Sequence, residues 1–331
     1  MEVPRKSLFA TVAQWFNGDA EHPRSQRERL TRMGIVLSLL LLIALLFSSV
    51  AANIQGRIAR NLGSLATATA ITATSADAQP TQAANDATPS PSSASGKLIF
   101  SDEFNGASLD TDKWIALNRP GDASNNEEEC YRTNNVKETA GTLVLTSLLD
   151  SACSSFLYTS GAVQTRSFHF LYGTIAIRAK MPRGQGMWPA LWLLGANCQS
   201  LYPSTPDNGG ACQWPIPGSD EVDILEMKGQ DPSTDYMSIN YGSQPNQVQN
   251  VQCTYSGPDF SQDFHTFSLT WTPKRIIWYV DGTQRCSQTT GVPSHPLFLI
   301  MVSAVGGNFV GSVDSSIFPQ THVIDYVRIY H

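Results

Sequence analysis

Hydrophobic and polar residues alternate with a period of two along much of the chain after its first third. The clearest case is "TIAIRAKM", residues 174–181, in which Ile175 and Ile177 share one face while Arg178 and Lys180 share the other. Residues of a strand point alternately to the two faces of its sheet, so this pattern predicts a half-buried β-strand. Helical periodicity is nearly absent from this part of the chain.

Further segments carry the same signal at short intervals. Asp281-Gly282, in "RIIWYVDGTQRCS", separates two strand-like runs and is a favoured two-residue hairpin turn. Many short strands in residues 97–331 predict an all-β domain, a two-sheet β-sandwich or jelly roll. The other candidate strands are "TLVLTSL", "ALWLL", "YMSINYG", "HTFSLTW" and "VIDYVRIY".

A different pattern occurs near the N-terminus, where residues 33–52 contain no charged residue. Twenty such residues in a helix, at ~1.5 Å each, can cross ~30 Å of hydrocarbon. Four arginines precede this run closely and two follow it, so the positive-inside rule keeps residues 1–32 in the cytoplasm and exports the rest. We therefore predict a transmembrane signal anchor. Cleavage of a signal peptide near residue 52, followed by secretion, is the alternative.

The segment between the apolar run and the domain has the composition of a linker. Residues 53–96 are rich in Ala, Thr, Ser, Gln, Asn and Pro, and from residue 61 onward they contain no Lys or Arg. Such a sequence cannot bury a core, so we predict a flexible tether.

Charge and cysteines restrict the class of protein. Residues 97–331 carry 14 basic and 22 acidic side chains, and an acidic domain is a poor partner for nucleic acid. All six cysteines lie in this exported part, and no two of them have CxxC spacing, which favours disulfides over a metal site. Cys198 and Cys212 flank a Pro/Gly-rich insertion and are the expected pair.

The candidate chemistry lies in "EVDILE", residues 221–226. In a regular strand Glu221 and Asp223 share a face while Glu226 lies on the other, but one extra residue near Ile224-Leu225, accommodated as a β-bulge, brings all three together. On a concave sheet the two glutamates could approach to roughly 5 Å, the separation in retaining glycosidases, where one carboxylate attacks and the other protonates the leaving group. A solvated strand face and a calcium site are the alternatives.

The sequence around these acids resembles the laminarinase-like endo-β-1,3-glucanases of glycoside hydrolase family 16. The resemblance covers nearly all of residues 97–331 and implies a concanavalin A-like jelly roll. Besides "EVDILE" itself, it rests on six segments in the family's order, which are "FSDEFNGASLDTDKW", "NNEEECY", "YGTIAIRAKMPRGQGMWPALWLL", "FHTFSLTWTPKRIIWYVDG", "AVGGNFVG" and "IDYVRIY".

Site residues follow from the resemblance position by position. It implies that Glu221 is the nucleophile, Glu226 the general acid/base and Asp223 an assisting carboxylate. The remaining matches are substrate-binding residues, namely Trp188, Trp192, Asn126 and Arg178. An indole offers an apolar face to a sugar ring, although a tryptophan can equally pack in the core, and Arg178 can equally lie on the surface. Asn240, in "INYG", is a further candidate substrate-binding residue, at a position where many members have histidine.

The family often carries a structural calcium ion away from the cleft. The matching positions are Glu103, Gly141 and Asp325, which would supply hard oxygen ligands from distant segments. A hydrogen-bonded Asp325 without a metal is the alternative. No cofactor is expected for catalysis.

The sequence thus predicts a monomeric domain that cleaves β-1,3 or mixed β-1,3/1,4 glucan internally by double displacement. Two other functions stay open. A cell-wall transglycosylase would pass the covalent glycosyl group to a sugar, and a lectin-like glucan-binding module would keep the sandwich without the chemistry.

Overall fold

The computed structural model describes residues 96–153, 155–204 and 212–331. The predicted cytoplasmic segment (1–32), transmembrane anchor (33–52) and nearly all of the linker (53–96) lie outside these residues. Within the described part, no helix is long and apolar enough to cross a membrane.

The described residues are almost entirely β-structure, with three short 3-10 helices (Thr133–Asn135, Ala196–Cys198 and Ser315–Ile317). The strands are β1 (Leu98–Asp102), β2 (Trp114–Ala116), β3 (Arg119–Pro120), β4 (Glu129–Tyr131), β5 (Val136–Thr139), β6 (Thr142–Leu149), β7 (Tyr158–Ser160), β8 (Ala162–Thr165), β9 (Gly173–Lys180), β10 (Met187–Gly195), β11 (Glu221–Glu226), β12 (Thr234–Tyr241), β13 (Gln249–Ser256), β14 (His265–Thr272), β15 (Arg275–Val280), β16 (Thr283–Gln288), β17 (Leu297–Val305) and β18 (Gln320–Tyr330).

These strands form two sheets. The eleven-stranded sheet has the order β16-β15-β14-β9-β18-β6-β7-β4-β3, with β1 and β5 paired to β18 and β6. The seven-stranded sheet has the order β13-β12-β11-β10-β17-β8-β2. The prediction of an all-β two-sheet sandwich is confirmed.

The core lies between the two sheets. Ile175, Ile177 and Ala179 of β9 point into it, as the alternation predicts, together with Leu191 of β10. The predicted hairpin turn is also present, because Asp281 and Gly282 between β15 and β16 have φ angles of 51° and 73°. Such left-handed pairs suit the twist of antiparallel strands.

The predicted bulge in β11 is confirmed and is centred on Ile224. Leu191 of β10 pairs with Leu225, whereas the adjacent Trp192 pairs with Asp223, so Ile224 has no counterpart. Ile224 and Leu225 both belong to the core. Two consecutive inward residues return Glu226 to the outward face of the sheet, which Asp223 also occupies.

All six cysteines form disulfides, as the sequence predicts. The pairs are Cys130–Cys153, Cys198–Cys212 and Cys253–Cys286, so the expected pairing of Cys198 with Cys212 is confirmed.

Candidate active site

A cavity on the outward face of the seven-stranded sheet brings the three predicted carboxylates together. β11 supplies the acids and the neighbouring β10 supplies two tryptophans. The lining residues are Arg119, Asp122, Asn125, Glu127, Tyr131, Trp188, Ala190, Trp192, Tyr202, Glu221, Asp223, Glu226, Val302 and Ala304.

Glu221 lies at the start of β11 and accepts a hydrogen bond from β12. Its Oε1 atom is 2.6 Å from Nδ2 of Asn240, the residue directly opposite in the strand register. Asn240 Nδ2 also lies 3.2 Å from Oδ2 of Asp223, which accepts a second hydrogen bond from the Ser238 hydroxyl. These donors favour the ionised carboxylates at this end of the row.

Glu226, at the other end of the row, has a different environment. Burial raises its pKa to about 7, although the indole N–H of Trp188, 2.9 Å from Oε1, and the positive charge of Lys228 act in the opposite direction. A carboxyl group with a pKa near neutrality holds a proton that it can donate. The buried carboxyl group of Asp235 on β12 also has a pKa well above its usual range, because of burial and the nearby charge of Glu226.

An aromatic cluster flanks Glu226. The ring of Phe309 contacts both Trp188 and Tyr236, with centroid distances of 5.2 Å in each case. The backbone of Gly307, at φ +106°, lies against the Trp188 ring, where an added Cβ would be 3.1 Å from the indole. Trp188 is thus held with one edge toward the acid and only partly buried, as a residue that stacks on a sugar would need.

Another part of the cavity lining is built around Arg119. Its guanidinium lies over the rings of Tyr202 and Tyr131, at 4.6 and 5.5 Å from their centroids, and Nε donates to the backbone oxygen of Tyr202. Trp192 meets Tyr202 edge to face. Tyr202 belongs to the loop that the Cys198–Cys212 disulfide closes, so this bridge contributes to one wall of the cavity.

Two further acids lie at the cavity, the partly buried Glu127, which lines it, and the fully buried Glu129. Glu127 accepts hydrogen bonds from the Asp122 backbone and the Asn125 side chain, yet burial raises its pKa. Glu129 accepts from the backbone N–H of Val305, and burial together with the charge of Glu127 raises its pKa further.

The structure places the predicted substrate-binding residues unevenly. Trp188 and Trp192 line the cavity. Asn240 lies beside it and contacts the carboxylates. Asn126 is exposed and bonds Asn308 instead, while its neighbour Asn125 lines the cavity.

The prediction that Arg178 lies in the cleft is wrong. Arg178 is on β9 of the eleven-stranded sheet, where its neighbours Ile177 and Ala179 point into the core and it points outward. Its guanidinium pairs with Asp325 of β18 at 2.5 Å. The core therefore separates it from the three carboxylates of β11.

The predicted calcium ligands do not fit a cation site. Glu103 forms a bidentate pair with Arg328, at 2.8 Å for each oxygen, and Asp325 pairs with Arg178. An arginine next to each carboxylate opposes a second cation there. The third predicted ligand, the backbone carbonyl oxygen of Gly141, does not offset these positive charges, so we derive no role for calcium from these residues.

Several site residues have no clear sequence signal. Arg119, Tyr131, Tyr202 and Ser238 come from separate segments, and only the fold brings them to the cavity. Glu127 could have been identified from the sequence, because "NNEEECY" is an acidic segment before a strand.

Comparisons with known proteins agree with this geometry. The model of the family described as glycosyl hydrolases family 16 matches residues 123–326. The glucan endo-1,3-beta-glucosidase A1 of Niallia circulans is 34% identical over 72% of this chain but only 38% of its own length. The glucan endo-1,3-beta-glucosidase of Cryptopygus antarcticus is 31% identical over 65% of this chain and 82% of its own.

A solved structure shows the same architecture. The catalytic domain of the endo-1,3-beta-glucanase (laminarinase) from Thermotoga petrophila RKU-1 superposes with a TM-score of 0.62 at 33% identity, over 72% of this chain and 99% of that domain. The residues matched by the family model include the strand that carries the three acids, and the chain belongs to glycosyl hydrolase family 16.

Proposed function

We propose that this domain hydrolyses internal linkages of β-1,3 or mixed β-1,3/1,4 glucan with retention of configuration. One observation carries the proposal, namely that two glutamates on one face of β11 have opposite environments. Glu221 accepts a hydrogen bond from Asn240, which favours its anion, whereas burial raises the pKa of Glu226 to about 7. When the environments of two carboxyl groups push their pKa values apart, the ionised group serves as the nucleophile and the protonated group as the general acid.

The reaction follows from these roles. The Glu221 carboxylate attacks the anomeric carbon while Glu226 gives its proton to the departing glycosidic oxygen, so the sugar becomes an ester of Glu221. Loss of the charge on Glu221 then lowers the pKa of Glu226, which can take a proton from water. That water attacks the anomeric carbon, releases Glu221 and restores both groups.

The substrate class is supported by the cavity and by the relatives. Trp188 and Trp192 offer indole surfaces in a cavity otherwise rich in hydrogen-bonding groups, which suits a neutral polysaccharide. The two curated relatives and the solved domain are named as endo-1,3-β-glucan hydrolases.

Glutamine substitutions test the roles. Glu221→Gln and Glu226→Gln should each lower kcat on laminarin by several orders of magnitude with the fold intact. Glu226→Ala should recover in part on activated aryl glycosides, whose leaving groups need no proton, and Glu221→Ala should not. Proton NMR of the first product should show the β configuration. Near-normal turnover of either glutamine variant, or an α product, would overturn the proposal.

Product analysis separates the remaining functions. The purified domain should release oligosaccharides from laminarin and lichenan but not from agarose or carrageenan. Products longer than the starting oligosaccharide would indicate transglycosylation, and binding without cleavage would indicate a lectin-like module. The presence of all three carboxylates disfavours a pure binder.

We also propose that the domain acts outside the plasma membrane, tethered through residues 53–96. Three disulfides among the described residues support an oxidising compartment. A protease added to intact cells should release a fragment of the domain's size. Domain found free in the medium before proteolysis would favour cleavage near residue 52.

A further inference from the structure

Three side chains form a row across neighbouring strands on the outward face of the seven-stranded sheet. Asn240 of β12 is the register partner of Glu221 on β11 and also of Asn250 on β13. The two contacts are short, with Asn240 Nδ2 2.6 Å from Glu221 Oε1 and Asn250 Nδ2 2.7 Å from Asn240 Oδ1. β13 is one of the two edge strands of this sheet, and Asn250 is exposed on it.

The chemistry of the amide gives this row a direction. An ionised carboxylate only accepts hydrogen bonds, so Asn240 must turn its NH2 group toward Glu221. The Asn240 carbonyl oxygen then points away from Glu221, toward β13, and needs a donor there. Asn250 supplies that donor. If the Asn240 amide were reversed, its carbonyl oxygen would face the Glu221 carboxylate oxygen, and neither atom can donate a hydrogen bond.

We propose that Asn250 is a positioning residue, which acts through Asn240 to keep an N–H donor on the nucleophile Glu221. This inference rests on the proposed function of Glu221 and adds a residue outside the cavity to it. Asn250 does not line the cavity, so its effect should pass through the orientation of the Asn240 amide.

The substitution Asn250→Asp tests the orientation. The new side chain is nearly the same size but only accepts hydrogen bonds, so it should draw the Asn240 NH2 group toward itself and turn the carbonyl oxygen toward Glu221. The apparent pKa of the acidic limb of the kcat/KM profile on laminarin should then rise by about one unit. At a pH one unit below the wild-type value of this pKa, kcat/KM should therefore be roughly tenfold lower than in the wild type. The basic limb, which reports Glu226, should stay in place.

Two matched variants separate orientation from charge and from strand stability. Gln252→Asp places the same charge on the same strand and face, opposite Ser238, and should move the acidic limb by less than half as much. Asn250→Gln keeps an NH2 donor and should retain the wild-type profile. The ionisable groups that share the cavity with Glu221 are unchanged in all three variants, and these are Arg119, Asp122, Glu127, Tyr131, Tyr202, Asp223 and Glu226.

A second measurement does not depend on activity. Carbon-13 NMR of the Glu221 carboxyl group, assigned by its loss in Glu221→Gln, should show the same upward shift of its titration in Asn250→Asp. An unchanged titration in folded Asn250→Asp, or an equal shift in Gln252→Asp, would overturn the inference. An inactive wild-type enzyme would instead refute the proposed function, and the NMR titration would still decide the role of Asn250.

Discussion

Trp278, in the eleven-stranded sheet, donates its indole N–H to the backbone carbonyl oxygen of Asp223, 2.8 Å away in the seven-stranded sheet. Trp278 is almost fully buried, so this hydrogen bond crosses the core. Asp223 borders the bulge at Ile224, where the ladder with β10 loses its regular register. A bulge disrupts ladder pairing, and a buried carbonyl without a partner is costly. The Trp278 side chain therefore supports the irregular backbone that aligns the three carboxylates of β11.

Trp278→Phe should lower both stability and kcat. It removes the donor to Asp223 and some core volume, which should cost about 2–4 kcal/mol of unfolding free energy. Loss of support at the bulge should also reduce kcat on laminarin about tenfold, since a shift of ~1 Å in a catalytic group is costly. Urea denaturation and steady-state kinetics measure the two effects.

Trp271→Phe is the matched control for this prediction. Trp271 is equally buried in the same sheet, but its indole bonds the carbonyl oxygen of Pro293, away from β11. It should lose comparable stability with kcat preserved. An equal loss of kcat in both variants would contradict a specific role for Trp278.

The sequence predicted the parts of the molecule that depend on local periodicity. Alternation in β9 identified the inward residues, and the misfit of Glu226 in "EVDILE" located the bulge. Both follow from the two-residue repeat of a strand, which one chain segment carries by itself. The trio of acids could therefore be assigned to one face before the fold was known.

The errors come from information that a single segment does not carry. Periodicity placed Arg178 on an outward face. A sandwich has two sheets, each with an outward face, and periodicity does not show to which sheet a strand belongs. Asn126 lies in a loop with φ 56°, where strand periodicity does not apply and Asn125 faces the cavity instead. Asn250 acts through a register across three strands, which only the assembled sheet defines.

Trp188→Phe should move the basic limb of the pH profile upward. The Trp188 N–H stabilises the ionised form of Glu226, so its removal should raise the pKa of Glu226 above about 7. The acid would then stay protonated to higher pH, and the basic limb of kcat/KM should shift by about one unit.

Trp192→Phe serves as the comparison for this shift. Trp192 also lines the cavity but meets Tyr202 edge to face. Both substitutions should raise KM on laminarin, whereas only Trp188→Phe should move the limb. A basic limb that stays in place, or moves to lower pH, would show that the indole does not control Glu226.

His322 should make the domain less stable in acid. Burial lowers its pKa to about 4 from an ordinary value of 6.5, while Nδ1 lies 3.1 Å from the backbone oxygen of Val302. Below pH 6.5 the unfolded chain binds a proton at this position that the folded chain does not. Stability should therefore fall as the pH drops from about 6.5 to about 4, by about 3 kcal/mol from this group.

His322→Gln isolates this contribution because glutamine does not titrate. Urea denaturation should show that the free energy of unfolding differs less between pH 7 and pH 4 in His322→Gln than in the wild type. The control variant His331→Gln, at an exposed position, should keep the wild-type difference. An identical difference in His322→Gln would mean that other groups cause the acid sensitivity.

The bulge itself can be tested by changing the length of β11. Deleting Ile224 should give a regular strand in which Val222 and Leu225 point inward while Asp223 and Glu226 still face the cavity. Part of the laminarin activity should survive, despite the loss of one core side chain.

Inserting an alanine after Ile224 should instead lengthen the separation of the two glutamates by ~3.3 Å or turn Glu226 into the core, and either result removes the paired geometry. Circular dichroism would show whether both variants are folded. Equal inactivation of two folded variants would mean that the extra residue has a purpose other than the alignment of Glu226.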